Sequence, residues 1–242
     1  MKTQIPASVF ALICCLFLIG TSNALTPSKD NFNAAKLNTA KWLAGGEGGA
    51  KLKQSGGRLN FTVLANKAEE DYAFLELLNN QPGYTESWQA IVDLTNTNSH
   101  RGDSGPGMWV FNADDPADTV FFELYGKGTK GGFFASFVLD GLYSVGKDIG
   151  RNPGVSKGSI RISFNKNTKL ITFWFDKTGS ADGYKWTKLC TFSPTGVGGD
   201  RRANWNMNPT TGRFGIRIYG FSEGRIVAAG TENLDNFVLK GL

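Results

Sequence analysis

Cysteine and histidine are scarce in this sequence: its 242 residues include 3 cysteines and 1 histidine. Cys14 and Cys15 lie in an apolar N-terminal segment, so the remainder of the chain holds Cys190 alone and cannot form an internal disulfide. His100 has no recognisable nucleophile motif beside it, which argues against a Ser-His-Asp triad. A zinc site built from cysteine and histidine is not expected either.

Long apolar runs are also missing, except at the N-terminus. Lys2, the run VFALICCLFLIG and the small residues ending at Ala24 predict a secretory signal peptide over residues 1–24. Its apolar run is shorter than the roughly 20 residues that span a bilayer, so no membrane insertion is expected after cleavage. Residues 25–242 are predicted to form one exported β domain, extracellular or periplasmic.

Dense positive charge is the third absence. The net charge is +5, and Arg201-Arg202 is the only adjacent pair of basic residues. Nucleic-acid binding normally needs a basic patch or stripe, so nucleic acid is not an expected partner.

Short apolar runs bounded by turn residues follow one another along the chain and predict an all-β fold of two packed antiparallel sheets. Residues 65–72 have helix-forming composition, but the strands on either side favour a strand over the later part of this passage. The predicted strands are 58–65, 73–78, 87–94, 107–112, 118–126, 133–141, 159–164, 169–176, 184–192, 213–221 and 233–241.

Alternation along these strands separates an apolar face from a mixed one, because successive side chains point to opposite sides of a sheet. In the hairpin 159–176, Ile160, Ile162 and Phe164 share one face. The mixed positions combine aromatic rings with charges, a composition enriched at contact surfaces, and a ring can stack on a sugar. The alternative is that a loop or a second layer of packing covers these aromatic rings. The predicted carbohydrate-binding residues are Glu123, Tyr125, Arg161, Trp174, Arg217 and Tyr219.

The longest break between predicted strands is residues 193–211, well above the usual loop of about 4–6 residues. Arg201, Arg202 and Trp205 in this loop are predicted to form a rim beside the binding face. A second long break, 95–107, contains Arg101-Gly102-Asp103, a tripeptide that integrins recognise and that also arises often by chance.

A calcium site is the one metal site that the sequence suggests. Asn112, Asp114, Asp115 and Asp118 fall within seven residues, and calcium prefers hard oxygen ligands. Their spacing does not match an EF-hand loop, and a plain solvated turn is the alternative.

Three segments together resemble a known superfamily. The opening DNFNAAKLNTAKW with GGRLNF, the hairpin SIRISFNKNTKLITFWFD and the closing NLDNFVL resemble secreted bacterial jelly rolls of the concanavalin A-like lectin/glucanase superfamily, which includes laminin G-like domains. The resemblance covers nearly all of residues 25–242. It implies a jelly-roll β-sandwich whose last strand returns beside the first, and a concave sheet that binds glycans.

The catalytic motifs of this superfamily do not occur in the chain. The glucanases carry a Glu-x-Asp-x-x-Glu run, and the lyases carry an arginine-rich strand and a Gln-x-His strand; neither pattern is present. Glu76 and Glu123 are lone carboxylates on separate predicted strands. We therefore expect a lectin-like protein that binds a polysaccharide or glycan without turning it over. A glycoside hydrolase or lyase-like enzyme with an atypical site and a structural or adhesive protein are the alternatives.

Overall fold

The computed structural model describes residues 25–65, 70–98, 104–125, 131–138, 150–153 and 155–242, and of residues 150–153 it describes the backbone alone. The predicted leader 1–24, His100 and the Arg101-Gly102-Asp103 tripeptide lie outside these residues. Within them, no helix has the length and apolar character needed to span a bilayer.

Sixteen strands are present in the described residues, together with one short 3-10 helix at Ser180–Asp182. The strands are β1 (Ser28–Asp30), β2 (Trp42–Glu47), β3 (Ala50–Ser55), β4 (Arg58–Val63), β5 (Glu70–Leu77), β6 (Trp88–Asn96), β7 (Ser104–Asn112), β8 (Asp115–Tyr125), β9 (Gly132–Val138), β10 (Gly150–Pro153), β11 (Lys157–Asn165), β12 (Leu170–Asp176), β13 (Thr187–Ser193), β14 (Arg201–Arg202), β15 (Phe214–Glu223) and β16 (Val227–Gly241).

These strands form two sheets. The nine-stranded sheet has the order β14-β13-β12-β11-β6-β16-β4-β3, with β1 also paired to β16, and the seven-stranded sheet has the order β10-β9-β8-β7-β15-β5-β2. All pairings between strands are antiparallel except that of β13 with β14. The last strand lies beside the first, with Ser28 opposite Leu239, as the resemblance implied.

The alternation predicted from the sequence is observed on both sheets. The buried core contains Ile160, Ile162 and Phe164 from β11 and Val120 and Phe122 from β8, while the residues between them point away from it. Each phenylalanine removed from water in this way stabilises the fold by about 1.5–3 kcal/mol. The two-sheet antiparallel sandwich is therefore confirmed.

Aromatic rings from the two sheets meet in the core. Phe122 on β8 contacts Phe173 on β12 edge to face, with ring centroids 5.5 Å apart. Phe133 on β9 stacks on Phe175 at 5.1 Å, and Phe214 on β15 lies 5.2 Å from Trp88 on β6. Aromatic pairs at these separations contribute about 0.5–1.5 kcal/mol beyond their area burial, so they hold one sheet on the other.

All eleven predicted strands are observed. The main difference from the prediction lies in the glycine-rich segment 44–57, which holds none of the predicted strands. It forms β2 and β3, which belong to different sheets. A turn at Gly48-Gly49 carries the chain from one sheet to the other, and Gly48 has φ +73°, a conformation that glycine adopts without steric cost. Two glycines within β2 and the glycine pairs on either side of β3 hid these strands in the sequence.

One carboxyl group is enclosed between the sheets. Glu232 on β16 is fully buried, and its Oε1 accepts hydrogen bonds from Ser104 Oγ at 2.6 Å and Asn98 Nδ2 at 3.2 Å. Its Oε2 has no hydrogen-bond partner in the described structure. Burial raises the pKa of Glu232 from 4.5 to about 7.

The stability of the protein should therefore depend on pH through Glu232. In the unfolded chain this carboxyl ionises above pH 4.5, whereas in the folded chain its pKa of about 7 keeps it protonated, so stability falls as pH rises through this window. The Glu232→Gln variant should lose this dependence. From pH 4 to pH 8, the free energy of unfolding of the wild type should fall by about 3 kcal/mol relative to that of the variant. Denaturant unfolding at several pH values measures it, and parallel profiles would contradict the assignment.

Candidate functional site

The outer face of the seven-stranded sheet is covered with aromatic rings. Leu75, Val110, Phe122 and Ile218 face the core, so the positions that alternate with such residues face outward. We call this surface the aromatic face. Its rings are Tyr72, Phe74, Trp109, Phe111, Phe121, Tyr125, Phe134, Tyr219 and Phe221.

Two cross-strand rows form the centre of the aromatic face. One row runs from Phe74 through Tyr219 and Gly107 to Glu123. The second row, two residues further along the strands, runs from Glu76 through Arg217 and Trp109 to Phe121. Side chains directly opposite in an antiparallel pair share a face and lie about 5 Å apart, so each row is continuous.

Gly107 makes room for the ring of Tyr219. A Cβ atom added at Gly107 would lie 2.8 Å from the Tyr219 ring and 2.8 Å from the Cβ of Glu123. Both side chains therefore occupy the space above the glycine, which lets them meet across β7. The Tyr219 hydroxyl donates a hydrogen bond to Glu123 Oε2 at 2.5 Å.

The rings of the aromatic face contact one another. Trp109 and Tyr219 have ring centroids 4.5 Å apart, and Phe74 lies 6.3 Å from Trp109. On the β9 side, Tyr125 and Phe121 lie 5.8 and 5.9 Å from Phe134. Tyr219 and Phe121 are buried by this packing, whereas Tyr72, Phe74, Trp109, Tyr125 and Phe134 remain partly exposed.

A charged pair lies among the rings. Arg217 donates from Nε to Glu76 Oε2 at 2.8 Å, and its Nη2 lies 2.7 Å from the same oxygen. The guanidinium is 4.5 Å from the ring centroid of Phe74 and 4.6 Å from that of Phe111. Cation–π contact with two rings and the ion pair with Glu76 together fix the orientation of Arg217.

A hollow of about 230 Å³ opens on the aromatic face beside this pair. Tyr72, Trp109, Phe121 and Arg217 line it, together with Glu70 at one end. Burial, together with the charge of Glu47, raises the pKa of Glu70. The hollow thus combines flat apolar walls with charged groups that can form hydrogen bonds.

The six predicted carbohydrate-binding residues do not share one face, and the expectation of a single surface is wrong on this point. Glu123, Tyr125, Arg217 and Tyr219 belong to the aromatic face. The other two, Arg161 on β11 and Trp174 on β12, belong to the nine-stranded sheet. Because the two sheets pack through their inner faces, their outer faces point in opposite directions. Alternation identifies outward positions without saying which sheet a strand joins.

The predicted rim of the long loop is also corrected in part. Arg201 and Arg202 are exposed on β14, as expected of a rim. Trp205, however, is 1 % exposed and packs against Phe192 at 5.4 Å as part of the core. The loop folds back so that this indole contacts Phe192 on one sheet and Phe214 on the other, and a side chain buried in this way is not available to a ligand on the surface.

The acidic turn predicted to bind calcium does not form a cluster. Asn112 is buried, its Nδ2 donates to the Trp205 carbonyl at 3.0 Å, and its Oδ1 accepts from the Asp114 N–H at 3.1 Å. Asp115 accepts from the Ala117 N–H, and Asp118 is buried. In the part of the chain that the structure describes, no three His, Cys, Asp or Glu side chains are grouped as a metal site would require. The calcium prediction therefore has no ligand set among these residues.

Sequence reasoning missed several rings of the aromatic face: Tyr72, Phe74, Trp109, Phe111, Phe121, Phe134 and Phe221. The signal was available for some of them. Trp109 and Phe111 alternate with Met108 and Val110 in the predicted strand 107–112, and Phe74 alternates with Leu75 in the predicted strand 73–78. What the sequence could not supply is the strand order that makes them one surface.

This architecture defines the class: the chain has the concanavalin A-like jelly-roll fold. It is similar to lectin I-B4 from Griffonia simplicifolia in a metal-free form, with a TM-score of 0.55 and 11% identity over 90% of this chain and 99% of that one. GH43B of a Bacteroides ovatus xyloglucan PUL gives a TM-score of 0.57 and 13% identity over 99% of this chain and 41% of that one. A glycoside hydrolase family protein from Mycobacterium thermorestibile gives a TM-score of 0.52 and 14% identity over 89% of this chain and 99% of that one.

No protein-family model matches the sequence, and no curated protein matches it. At these identities the solved structures establish the fold of the chain and leave its activity to be argued from its own residues.

Replacing Trp205 should affect stability far more than replacing a neighbouring rim residue. Trp205→Ala removes a buried indole from the core and should lower the free energy of unfolding by about 3–5 kcal/mol. Arg202→Ala changes an exposed side chain in the same loop and should stay within about 0.5 kcal/mol of wild type. Denaturant unfolding monitored by fluorescence compares the two. Equal stability of both variants would show that Trp205 is not a core residue.

Proposed function

We propose that the protein is an exported carbohydrate-binding protein of the lectin type, and that the aromatic face is its glycan-binding surface. The observation that supports this most directly is the row of Glu76, Arg217 and Trp109 beside the hollow. It places a partly exposed ring next to fixed hydrogen-bonding groups. Large apolar patches on a protein surface usually mark an interaction site.

The chemistry of this row suits a sugar. A pyranose has an apolar face of C–H groups that can stack on Trp109 and a rim of hydroxyls that need donors and acceptors. Arg217 is held in place by Glu76, so it can donate its remaining N–H groups to a hydroxyl without first losing conformational freedom. The second oxygen of Glu76 can accept a hydrogen bond from a neighbouring hydroxyl.

Binding without hydrolysis fits the positions of the carboxylates better than hydrolysis does. Glu76 on β5 and Glu123 on β8 are separated by β15 and β7 and lie in different rows. Three strand spacings amount to about 14 Å between the backbones. Glycosidases hold their two carboxyl groups about 5–5.5 Å apart for retention or about 6.5–9.5 Å apart for inversion. Arg217 and Tyr219, respectively, engage these two carboxylates.

The exported location is part of the proposal. It rests on the predicted signal peptide over residues 1–24, with its apolar run VFALICCLFLIG and small residues up to Ala24. A cell-surface or secreted polysaccharide is then the expected partner. Neither nucleic acid nor a membrane is expected, since the basic residues are dispersed along the sequence.

Removing one ring from the aromatic face should weaken glycan binding. We expect Trp109→Ala to reduce the affinity for a neutral glycan found on an array at least tenfold, because the sugar loses its stacking surface. Trp174→Ala is the matched control, since it makes the same chemical change on the opposite side of the sandwich. Isothermal titration calorimetry with the selected glycan measures both variants. Equal affinity of Trp109→Ala and wild type would contradict the proposal.

The enzymatic alternative has its own measurement. Incubation of the wild-type protein with a panel of polysaccharides should release no reducing ends. Release that disappears in the Glu123→Gln variant would instead show that Glu123 takes part in hydrolysis and would overturn the non-catalytic assignment. A blank glycan array together with capture of a protein partner would favour a structural or adhesive role.

A further inference from the structure

The outer face of the nine-stranded sheet holds an arginine between two tryptophan rings. The guanidinium carbon of Arg161 lies 4.4 Å from the ring centroid of Trp174 and 4.7 Å from that of Trp186. Tyr184 extends the stack, with its ring 4.8 Å from Trp186 at an interplanar angle of 20°. The Trp174 indole is itself fixed, because its Nε1 donates to Ser163 Oγ at 3.0 Å.

Arg161 makes no hydrogen bond or ion pair among the described residues. Its Nε is buried without an acceptor. Burial lowers the pKa of Arg161, and within the described part of the chain no carboxylate opposes this effect. Arg217 on the other side of the sandwich shows the contrast, since its guanidinium also contacts aromatic rings but is paired with Glu76. The site around Arg161 therefore has a fixed guanidinium and lacks the anion that would normally satisfy it.

A second positive charge lies on the same face as Arg161. Lys188 lies directly opposite Trp174 in the β12–β13 pair, so its ammonium group is on the same face. The carboxylates of Asp93 and Asp176 lie near Tyr184 and bind neutral donors rather than Arg161. Asp93 accepts from Ser180 Oγ at 2.6 Å and Asn236 Nδ2 at 2.9 Å. Asp176 accepts hydrogen bonds from the backbone of the loop that follows β12, which helps to lower its pKa.

We propose that Arg161, Trp174 and Trp186 form a second binding site, specific for the acidic group of an anionic polysaccharide, either the carboxylate of a uronic acid or a sulfate ester. Arginine held in a fixed plane presents a fork of donors that matches the two oxygens of such a group. Tyr184 at the outer end of the stack is 36% exposed and offers a flat surface to the sugar that carries the acidic group. This site lies on the opposite side of the sandwich from the aromatic face and does not depend on it.

The test compares acidic polymers with neutral ones of the same backbone. Polygalacturonate is paired with its methyl ester, and dextran sulfate is paired with dextran, which separates carboxylate from sulfate recognition. In affinity electrophoresis, at least one acidic polymer should retard the wild-type protein. Any retardation by its neutral counterpart should not depend on Arg161. The Arg161→Gln variant should bind the acidic polymer at least tenfold more weakly. Arg161→Lys should also lose most of the affinity, because lysine lacks the planar fork.

Two control variants separate this site from general charge and from the aromatic face. Arg58→Ala removes an exposed guanidinium from β4 of the same sheet and should leave acidic binding unchanged. Trp109→Ala should also leave it unchanged, even if it abolishes binding of a neutral glycan. Thermal melting of each variant checks folding, and Trp186→Ala tests the site independently of Arg161.

Four results would overturn the proposal. They are absence of binding to both acidic polymers, equal affinity of Arg161→Gln and wild type, an equal loss in Arg58→Ala, and equally tight Arg161-dependent binding of polyglutamate. The third would show a net-charge effect, and the fourth would show that the partner is an acidic protein segment. If the protein binds no neutral glycan but still binds an acidic polymer through Arg161, the proposal for the aromatic face is contradicted and the proposal for this second site is not.

Discussion

The packing of aromatic rings between the two sheets is the interaction on which the rest of the structure depends. Phe122 from one sheet meets Phe173 from the other, and Phe133 meets Phe175. Once these rings face inward, the pleat of each strand forces its intervening residues outward. The positions of Glu123 and of Trp174 follow directly from the contacts of their neighbours. The packing of the core therefore determines which residues form the two outer surfaces.

The partly exposed rings of the aromatic face contribute less to stability than buried rings would, and a role in binding would account for them. Partly exposed rings such as Phe74 and Trp109 gain less from folding than buried ones and increase the risk of association with other molecules. The chain supports them with specific devices: a glycine beneath Tyr219 and an ion pair between Arg217 and Glu76. These devices hold the surface in one arrangement before any ligand arrives, and pre-organisation of this kind lowers the entropic cost of binding.

The two outer faces use the same residue types in different electrostatic arrangements. On the aromatic face, Arg217 is neutralised by Glu76 and can offer hydrogen bonds without net charge. On the opposite face, Arg161 is flanked by Trp174 and Trp186 and has no carboxylate partner among the described residues. A neutral ligand suits the first arrangement and an anionic ligand suits the second. Because the faces point away from each other, one chain would be able to contact two polymer segments.

The sequence by itself determined the class of fold, the eleven main strands and the outward or inward orientation of their residues. These properties depend on a period of two along each strand, which is a local pattern. Strand β2 was missed because two of its six residues are glycine, which carries no side chain from which to read that period, and β3 was missed because Leu52 is its one large apolar residue. Trp205 was misplaced because a loop has no period, so its burial depends on distant residues such as Phe192.

Only the tertiary structure decided which strands share a sheet. The predicted binding residues separated onto opposite faces because β8 and β15 join one sheet while β11 and β12 join the other. Strand order arises from contacts between residues far apart in the chain, such as Arg217 with Glu76, and no local pattern encodes it. The same long-range pairing assembled the aromatic face from five strands and left Arg161 with no carboxylate partner among the described residues.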